Sequence, residues 1–157
     1  MQPPLLRYLT VRGNDSPEDL AAETWLQVVR DLAKFQGGLS EFRSWVFTVA
    51  RNRAIDHGRA RAARPSVPVA EPTPTEVVAS AEAVVMDHVS TEAALALVAT
   101  LPPEQAELVM LRVVADLDVA EVARIVGKKP GTVRVGVHRA LKALSRELST
   151  SDTRKVV

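Results

Sequence analysis

Apolar residues recur along this chain at three- and four-residue intervals, the spacing of a helix face, and polar, glycine or proline punctuation bounds each run. Leu5, Leu6 and Leu9 mark a short helix within Met1–Arg12, broken at Gly13-Asn14. Ser16-Pro17-Glu18-Asp19 combines a cap residue, a first-turn proline and two acids at the positive end of the helix dipole. It predicts a second helix to about Lys34, with Ala21, Trp25, Val28, Val29 and Leu32 on its buried face. Phe35-Gln-Gly-Gly-Leu-Ser40 stops it with two glycines, and Ser40 is placed to cap a third helix from Phe42 to about Ala63. Phe42, Trp45, Val46, Val49 and Ala50 form the buried arc of that helix.

Pro65 to Pro74 reads Pro-Ser-Val-Pro-Val-Ala-Glu-Pro-Thr-Pro, where prolines remove amide donors and favour extended backbone, so a linker is placed there. Val77–Met86 has the composition of a weak helix. Ser90 caps a helix through Thr100 that packs through Ala93, Leu95, Leu97 and Val98, and Leu101-Pro102-Pro103 ends it. Pro103-Glu104-Gln105 starts the next, with Leu108, Val109, Leu111 and Val113 as core candidates. Asp118 caps a short helix, Glu121 reaches back to the cap nitrogen, and Gly127 supplies the left-handed end. Pro130 starts a last helix immediately. Val133, Val137, Ala140, Leu141, Leu144 and Leu148 share one side of it, and Arg134, His138, Arg139, Lys142 and Arg146 the other. Ala123 and Val133 flank the tight turn as two crossing helices require, so Asp118–Leu148 reads as a helix-turn-helix with a basic second helix. Ser149–Val157 is expected to be a disordered polar tail. The fold class is all-α: two small helical modules joined by a Pro-rich acidic linker, the C-terminal one a four-helix module containing the helix-turn-helix. The boundaries fall at 1–64, 65–89, 90–149 and 150–157.

Charge changes this picture more than composition does. The formal net charge is +1, yet residues 1–64 carry 10 Lys/Arg against 7 Asp/Glu, residues 65–100 none against 5, and residues 101–157 again 10 against 7. Two basic blocks flank an acidic connector. The chain has no cysteine, which removes disulfides and thiolate metal sites and suits a reducing compartment. Apolar runs are short and the start lacks signal-peptide segments, so the expected location is the cytoplasm, with no membrane partner. His57, His88 and His138 lie far apart with no ligand or triad spacing, and there is no phosphate-cradling glycine loop. The chain is therefore expected not to be an enzyme, and to have no cofactor, no metal and no small-molecule substrate.

Three surfaces remain as candidates for binding. On the second helix Asp19, Glu23, Gln27 and Arg30 face away from the core with Leu20 and Leu26 beside them. Carboxylates beside apolar residues fit a docking surface for a basic partner, and they equally fit a solvated face with single exposed leucines. The third helix has six arginines between Phe42 and Arg64 against one acid, Asp56. Aromatics at one end and arginines along the rest match the stacking surfaces and backbone charge that single-stranded nucleic acid needs, although Phe42 and Trp45 also serve as core. On the last helix Val135 is the one apolar residue in a basic face. It suits a thymine methyl, while Arg134 and Arg139 can reach guanine edges or phosphates.

Asp15-Ser-Pro-Glu-Asp-Leu-Ala-Ala-Glu-Thr-Trp-Leu-Gln-Val-Val-Arg30, Phe35-Gln-Gly, Phe42-Arg-Ser-Trp-Val-Phe-Thr-Val-Ala-Arg-Asn-Arg-Ala-Ile-Asp-His57, Leu101-Pro-Pro-Glu-Gln and Gly131-Thr-Val-Arg134 follow one another in order. In that order and spacing the chain resembles an extracytoplasmic-function sigma factor of bacterial RNA polymerase, over about residues 5–64 and 90–148. The resemblance implies that Asp19, Glu23, Leu26 and Arg30 grip the clamp helices of the polymerase beta-prime subunit, with the beta subunit completing the core partner. It implies that the loop Phe35–Phe42 with Asn52 captures a flipped base of the minus-ten promoter element, and that Phe42, Arg43, Arg51, Asn52, His57, Arg59 and Arg61 hold the melted strand. Lys129, Thr132, Arg134, Val135, His138, Arg139 and Lys142 would read the minus-thirty-five duplex, and an anti-sigma factor is a further partner of the kind such proteins have.

Departures from the family pattern carry expectations too. The stretch before Arg12 is shorter than the family's first helix, which implies a late start or a less stable N-terminal module. Ala22 replaces a polymerase-contacting glutamine. Val135 and Gly136 replace the usual serine and arginine, which places promoter preference at those two positions. The competing readings are a stand-alone helix-turn-helix regulator, which would need no arginine-aromatic helix, and a degenerate sigma-like protein that binds polymerase without initiating.

Overall fold

A computed structural model describes residues 1–12, 15–63 and 82–155. All regular structure among them is helical: α1 (Gln2–Val11), α2 (Pro17–Asp31), α3 (Leu39–Ala62), α4 (Glu82–Ala99), α5 (Pro103–Val109), α6 (Val119–Val126) and α7 (Pro130–Lys155). The Pro65–Pro74 linker and the start of the weak helix expected at Val77 lie outside the described residues.

The N-terminal module packs α2 against both α1 and α3. Leu5, Tyr8 and Leu9 of α1, Leu20, Ala21 and Val28 of α2, and Val46, Phe47, Val49 and Ala50 of α3 are buried together. Phe47 meets the Tyr8 ring edge-on at 5.6 Å. The arc that α2 buries is narrower than its apolar content suggested. Leu20, expected beside the open face, is in the core, whereas Val29 (67% exposed) and Leu32 (50%) are outside it. Helices α1 and α3 cover one side of α2, and Leu20, Ala21, Thr24 and Val28 already fill it.

In the C-terminal module α7 packs on α5, α6 and α4. The expected helix from Ser90 and the weak one before it are a single helix, α4, running through Ser90. Its packing face is narrower than expected: Val98 is buried, Leu95 and Leu97 half-buried and Ala93 exposed. Beyond α5 the coil widens over Met110–Val114, where the Ala115 amide bonds to the Met110 carbonyl five residues back at 2.9 Å. Met110 and Leu111 stay buried while Val113, expected in the core, turns outward. On α7, Val133 and Ala140 are fully buried and Val137, Ala143 and Leu144 pack half-buried against the core, but Leu141, at the edge of that arc, and Leu148, beyond it, are exposed. The expected disordered tail is helical to Lys155. It contains no glycine or proline, and the hydroxyls of Ser149, Thr150 and Thr153 bond to carbonyls four residues back at 2.9–3.0 Å.

The modules are not apart in space. Helix α1 packs against α4, α5 and the widened turn, and α3 packs against α6, so one core runs from Leu5 and Phe47 through Met110, Leu111 and Leu117 to Val133.

Candidate nucleic-acid and partner interfaces

Local chemistry positions the helix-turn-helix. Asp118 Oδ1 accepts from the Glu121 amide at 2.8 Å, and Glu121 Oε2 accepts from the Asp118 amide at 2.9 Å, closing the expected capping box. Gly127 ends α6 at φ 69°, left-handed geometry that suits glycine. With Val122, Ala123 and Val133 buried at the crossing, Lys129, Thr132, Arg134, Val135, His138, Arg139 and Lys142 all face solvent. Val135, 49% exposed, sits apolar within that basic surface. Gly136 does not belong to it. A Cβ there would lie 2.5 Å from Leu108 Cδ1, so the glycine lets α7 approach α5 closely and its side faces the module interior.

Helix α3 presents two different surfaces. Its first turn is capped by Glu41, whose carboxylate accepts from the Gly38 amide at 3.0 Å; Ser40, expected as the cap, lies inside the helix and donates to Glu121 Oε1 at 2.6 Å. On the open side Trp45, Asn52 and Arg59 follow at seven-residue intervals and so share a face. Phe35 stacks on Trp45 at 5.0 Å with 10° between the rings, and Phe42 meets both edge-on at 5.5 and 5.9 Å. All three rings are half-buried, forming an aromatic ledge on the face that continues through the exposed Asn52 and Arg59; His57 is exposed on another side of the helix. Arg61 pairs with Asp15.

The other surface of α3 faces the C-terminal module. Arg51 Nε donates to Glu107 Oε1 at 2.7 Å, and Arg43 pairs with Asp116 at 3.6 Å. Glu107 also accepts from the Tyr8 hydroxyl at 2.8 Å and pairs with Arg12 at 3.2 Å, its side chain only 7% exposed. Burial, with the Glu107 charge beside it, pushes the Tyr8 hydroxyl well above the usual tyrosine range. The structure thus divides the seven expected minus-ten residues: Asn52, His57 and Arg59 are open, Phe42 is in the ledge, and Arg43, Arg51 and Arg61 are held by acids. Sequence reasoning missed Glu107. Its signal was an acid inside the apolar run Gln105–Leu111, at a position the helix must turn inward.

On α2, Asp19, Glu23, Leu26 and Arg30 are exposed on one face, and the unexpectedly open Val29 extends its apolar part.

Two family models match the chain, Sigma-70 region 2 over residues 2–64 and Sigma-70 region 4 over residues 91–144. The ECF RNA polymerase sigma factor ShbA of Streptomyces griseus is 34% identical over 158 aligned residues, covering 92% of this chain and 81% of that protein. The chain belongs to the ECF family of RNA polymerase sigma factors. BldN of Streptomyces coelicolor, also an ECF sigma factor, is 37% identical over 90% of this chain, which spans 54% of BldN's length. In fold, this sigma factor is similar to the sigma factor RpoE from Bartonella quintana, solved in complex with the anti-sigma factor NepR (TM-score 0.63, 21% identity, 93% of this chain and 91% of that one). It is also similar to CnrH, solved with the cytosolic domain of CnrY (TM-score 0.61, 16% identity, 94% and 81%). The first matched region takes in α1 to α3 and the second α5, α6 and parts of α4 and α7, and among the described residues no helix is long and apolar enough to cross a membrane.

Proposed function

We propose that this sigma factor directs transcription initiation through three surfaces of its own. The exposed α2 face of Asp19, Glu23, Leu26 and Arg30, extended by Val29, docks on the beta-prime clamp helices of core polymerase in the cytoplasm. The α3 ledge of Phe35, Phe42 and Trp45 stacks bases of the melted minus-ten strand, Asn52 takes a flipped base, and Arg43, Arg51, His57, Arg59 and Arg61 hold its backbone. The α7 face of Lys129, Thr132, Arg134, Val135, His138, Arg139 and Lys142 reads the minus-thirty-five duplex in the major groove. Its work is binding and positioning, and no residue is assigned a catalytic role.

The observation that carries this reading is the pairing, in one chain, of an open aromatic-arginine ledge with a capped helix-turn-helix; a stand-alone duplex reader has no use for the ledge. Promoter choice is assigned to Val135 with Arg134 and Arg139, since Gly136 serves packing. An anti-sigma partner is proposed by extension from RpoE, which was solved with one. Core polymerase with this protein should transcribe from members of a random promoter pool, and the protein alone should bind those promoters weakly. Tight, sequence-specific duplex binding without polymerase would replace the reading with that of a stand-alone regulator.

A further inference from the structure

The loop between α2 and α3 is held in one shape from two sides. At its first end Phe35, whose amide bonds to the Leu32 carbonyl at 3.1 Å, is stacked on Trp45. At its last end Gly38 begins α3, and its carbonyl accepts from the Phe42 amide at 3.0 Å. Between them Gly37 has φ 143°, a backbone conformation that residues with a side chain rarely adopt. A Cβ added to Gly37 would lie 2.9 Å from Glu41 Cβ and 3.3 Å from Phe35 Cζ. The Gly37 backbone is thus clamped between the Phe35 ring and the aliphatic stem of Glu41.

The head of Glu41 holds the next residue. Its Oε2 accepts from the Gly38 amide at 3.0 Å, and a Cβ on Gly38 would stand 3.2 Å from that oxygen. One side chain therefore supports both glycines, its stem against Gly37 and its carboxylate on Gly38. A helix cap needs only the second contact. The first sets where the tip of the loop lies relative to the aromatic ledge.

We propose that Glu41 is a positioning residue for base capture, holding Gly37 and Gly38 against Phe35 so that the loop has its binding shape before the melted strand arrives. The proposal rests on the reading of Phe35–Phe42 with Asn52 as the site that takes the flipped base. Glu41 is assigned no contact with that base. Its carboxylate repels the phosphates of the strand, so whatever it adds to binding comes through the loop. Gln36, Gly37 and Gly38 are exposed, and two adjacent glycines left free have the most backbone freedom to lose when a base is seated. Affinity falls by the fraction of time that a site is out of shape. Loss of a capping contact moves such an equilibrium by about two- to thirtyfold, and about three- to tenfold is expected here.

The test uses core polymerase with the full chain on a promoter fork recovered from the random pool, its minus-ten element left single-stranded. Replacing each single-stranded base in turn by an abasic site finds the captured base as the position where the wild type loses most affinity. The ratio of Kd on that abasic fork to Kd on the intact fork measures capture alone. Glu41→Ala should lower the ratio about three- to tenfold. Glu41→Gln, which removes the charge and keeps an oxygen able to accept from the Gly38 amide, should hold it at the wild-type value. Gly37→Ala, which forces a Cβ into the clamp from the other side, should lower it as Glu41→Ala does. Removing a negative charge near the strand, or loosening α3, changes binding to both forks alike and cancels in the ratio, so a merely structural Glu41 leaves it unmoved. An unchanged ratio in Glu41→Ala or Gly37→Ala overturns the proposal and leaves the base-capture reading standing. A ratio that falls as far in Glu41→Gln as in Glu41→Ala overturns it too, because the acceptor is then not what holds the loop. If no abasic position costs the wild type affinity, the base-capture reading fails and the proposal fails with it.

Discussion

Tyr8→Phe isolates one hydrogen bond at the junction of the two modules. The Tyr8 hydroxyl donates to Glu107 Oε1 at 2.8 Å in a fully buried site. Phenylalanine keeps the ring edge-on to Phe47, so no cavity is made, and Glu107 keeps Arg12 and Arg51, so its charge is not stranded. What is lost is one hydrogen bond to an ionised acceptor, about 1.5–3 kcal/mol. With two cationic partners left, the lower end applies, about 1.5–2 kcal/mol. At about 2–4 °C per kcal/mol for a domain of this size, Tm should fall by about 3–8 °C, read by calorimetry at neutral pH. The same contact predicts a pH dependence. Folding raises the Tyr8 pKa, so above the ordinary value of about 10 the unfolded chain loses a proton that the folded chain keeps. This contribution to stability is whole below pH 10 and is lost as pH rises beyond it towards the folded value. Tyr8 is the chain's single tyrosine, so phenolate absorbance reports it alone, and ionisation should require higher pH in the native protein than in urea. An unchanged Tm in Tyr8→Phe, or native ionisation at the unfolded position, would show that the hydroxyl is solvated and the reasoning wrong.

Four further outcomes follow from the interfaces. Leu26→Asp with Val29→Asp should abolish capture by core polymerase while lowering Tm by no more than about 2–4 °C, the cost of two acids near the end of α2, since both side chains are mostly exposed; a much larger Tm loss would return them to the core. Asn52→Ala should impair promoter opening, followed by permanganate reactivity, without reducing polymerase binding, and equal loss of both would make it structural. Arg134→Ala should cost about 1–3 kcal/mol at one promoter position, whereas uniform weakening across sequences would reassign Arg134 to phosphate. Gly127→Ala should destabilise the chain by about 1–2 kcal/mol in urea titration because φ is 69° with open space around it, and a neutral result would mean that the turn relaxes.

The helix-turn-helix was legible residue by residue because its determinants are local. The Asp118–Glu121 box, the left-handed Gly127 and Pro130 each act within one turn of chain, and all are in place. The all-α class and the chain's family were legible for a related reason, since helical spacing and ordered motifs survive without knowing what packs on what. Burial was less so. Val29, Val113, Leu141 and Leu148 have the right spacing for a core, but each helix is covered on a limited arc or over part of its length, and only the neighbouring helices decide which arc. The same limit hid the role of Gly136, whose helix propensity is poor wherever it faces; contact with Leu108 is what explains it. Glu107 shows the limit most clearly. Its partners lie 99, 95 and 56 residues away, at Tyr8, Arg12 and Arg51. Charge counting shows the basic α3 and a C-terminal block of 10 Lys/Arg against 7 Asp/Glu, but no local rule says which of those acids meets which arginine. Electrostatic pairing depends on distance in space, and tertiary packing alone set that distance.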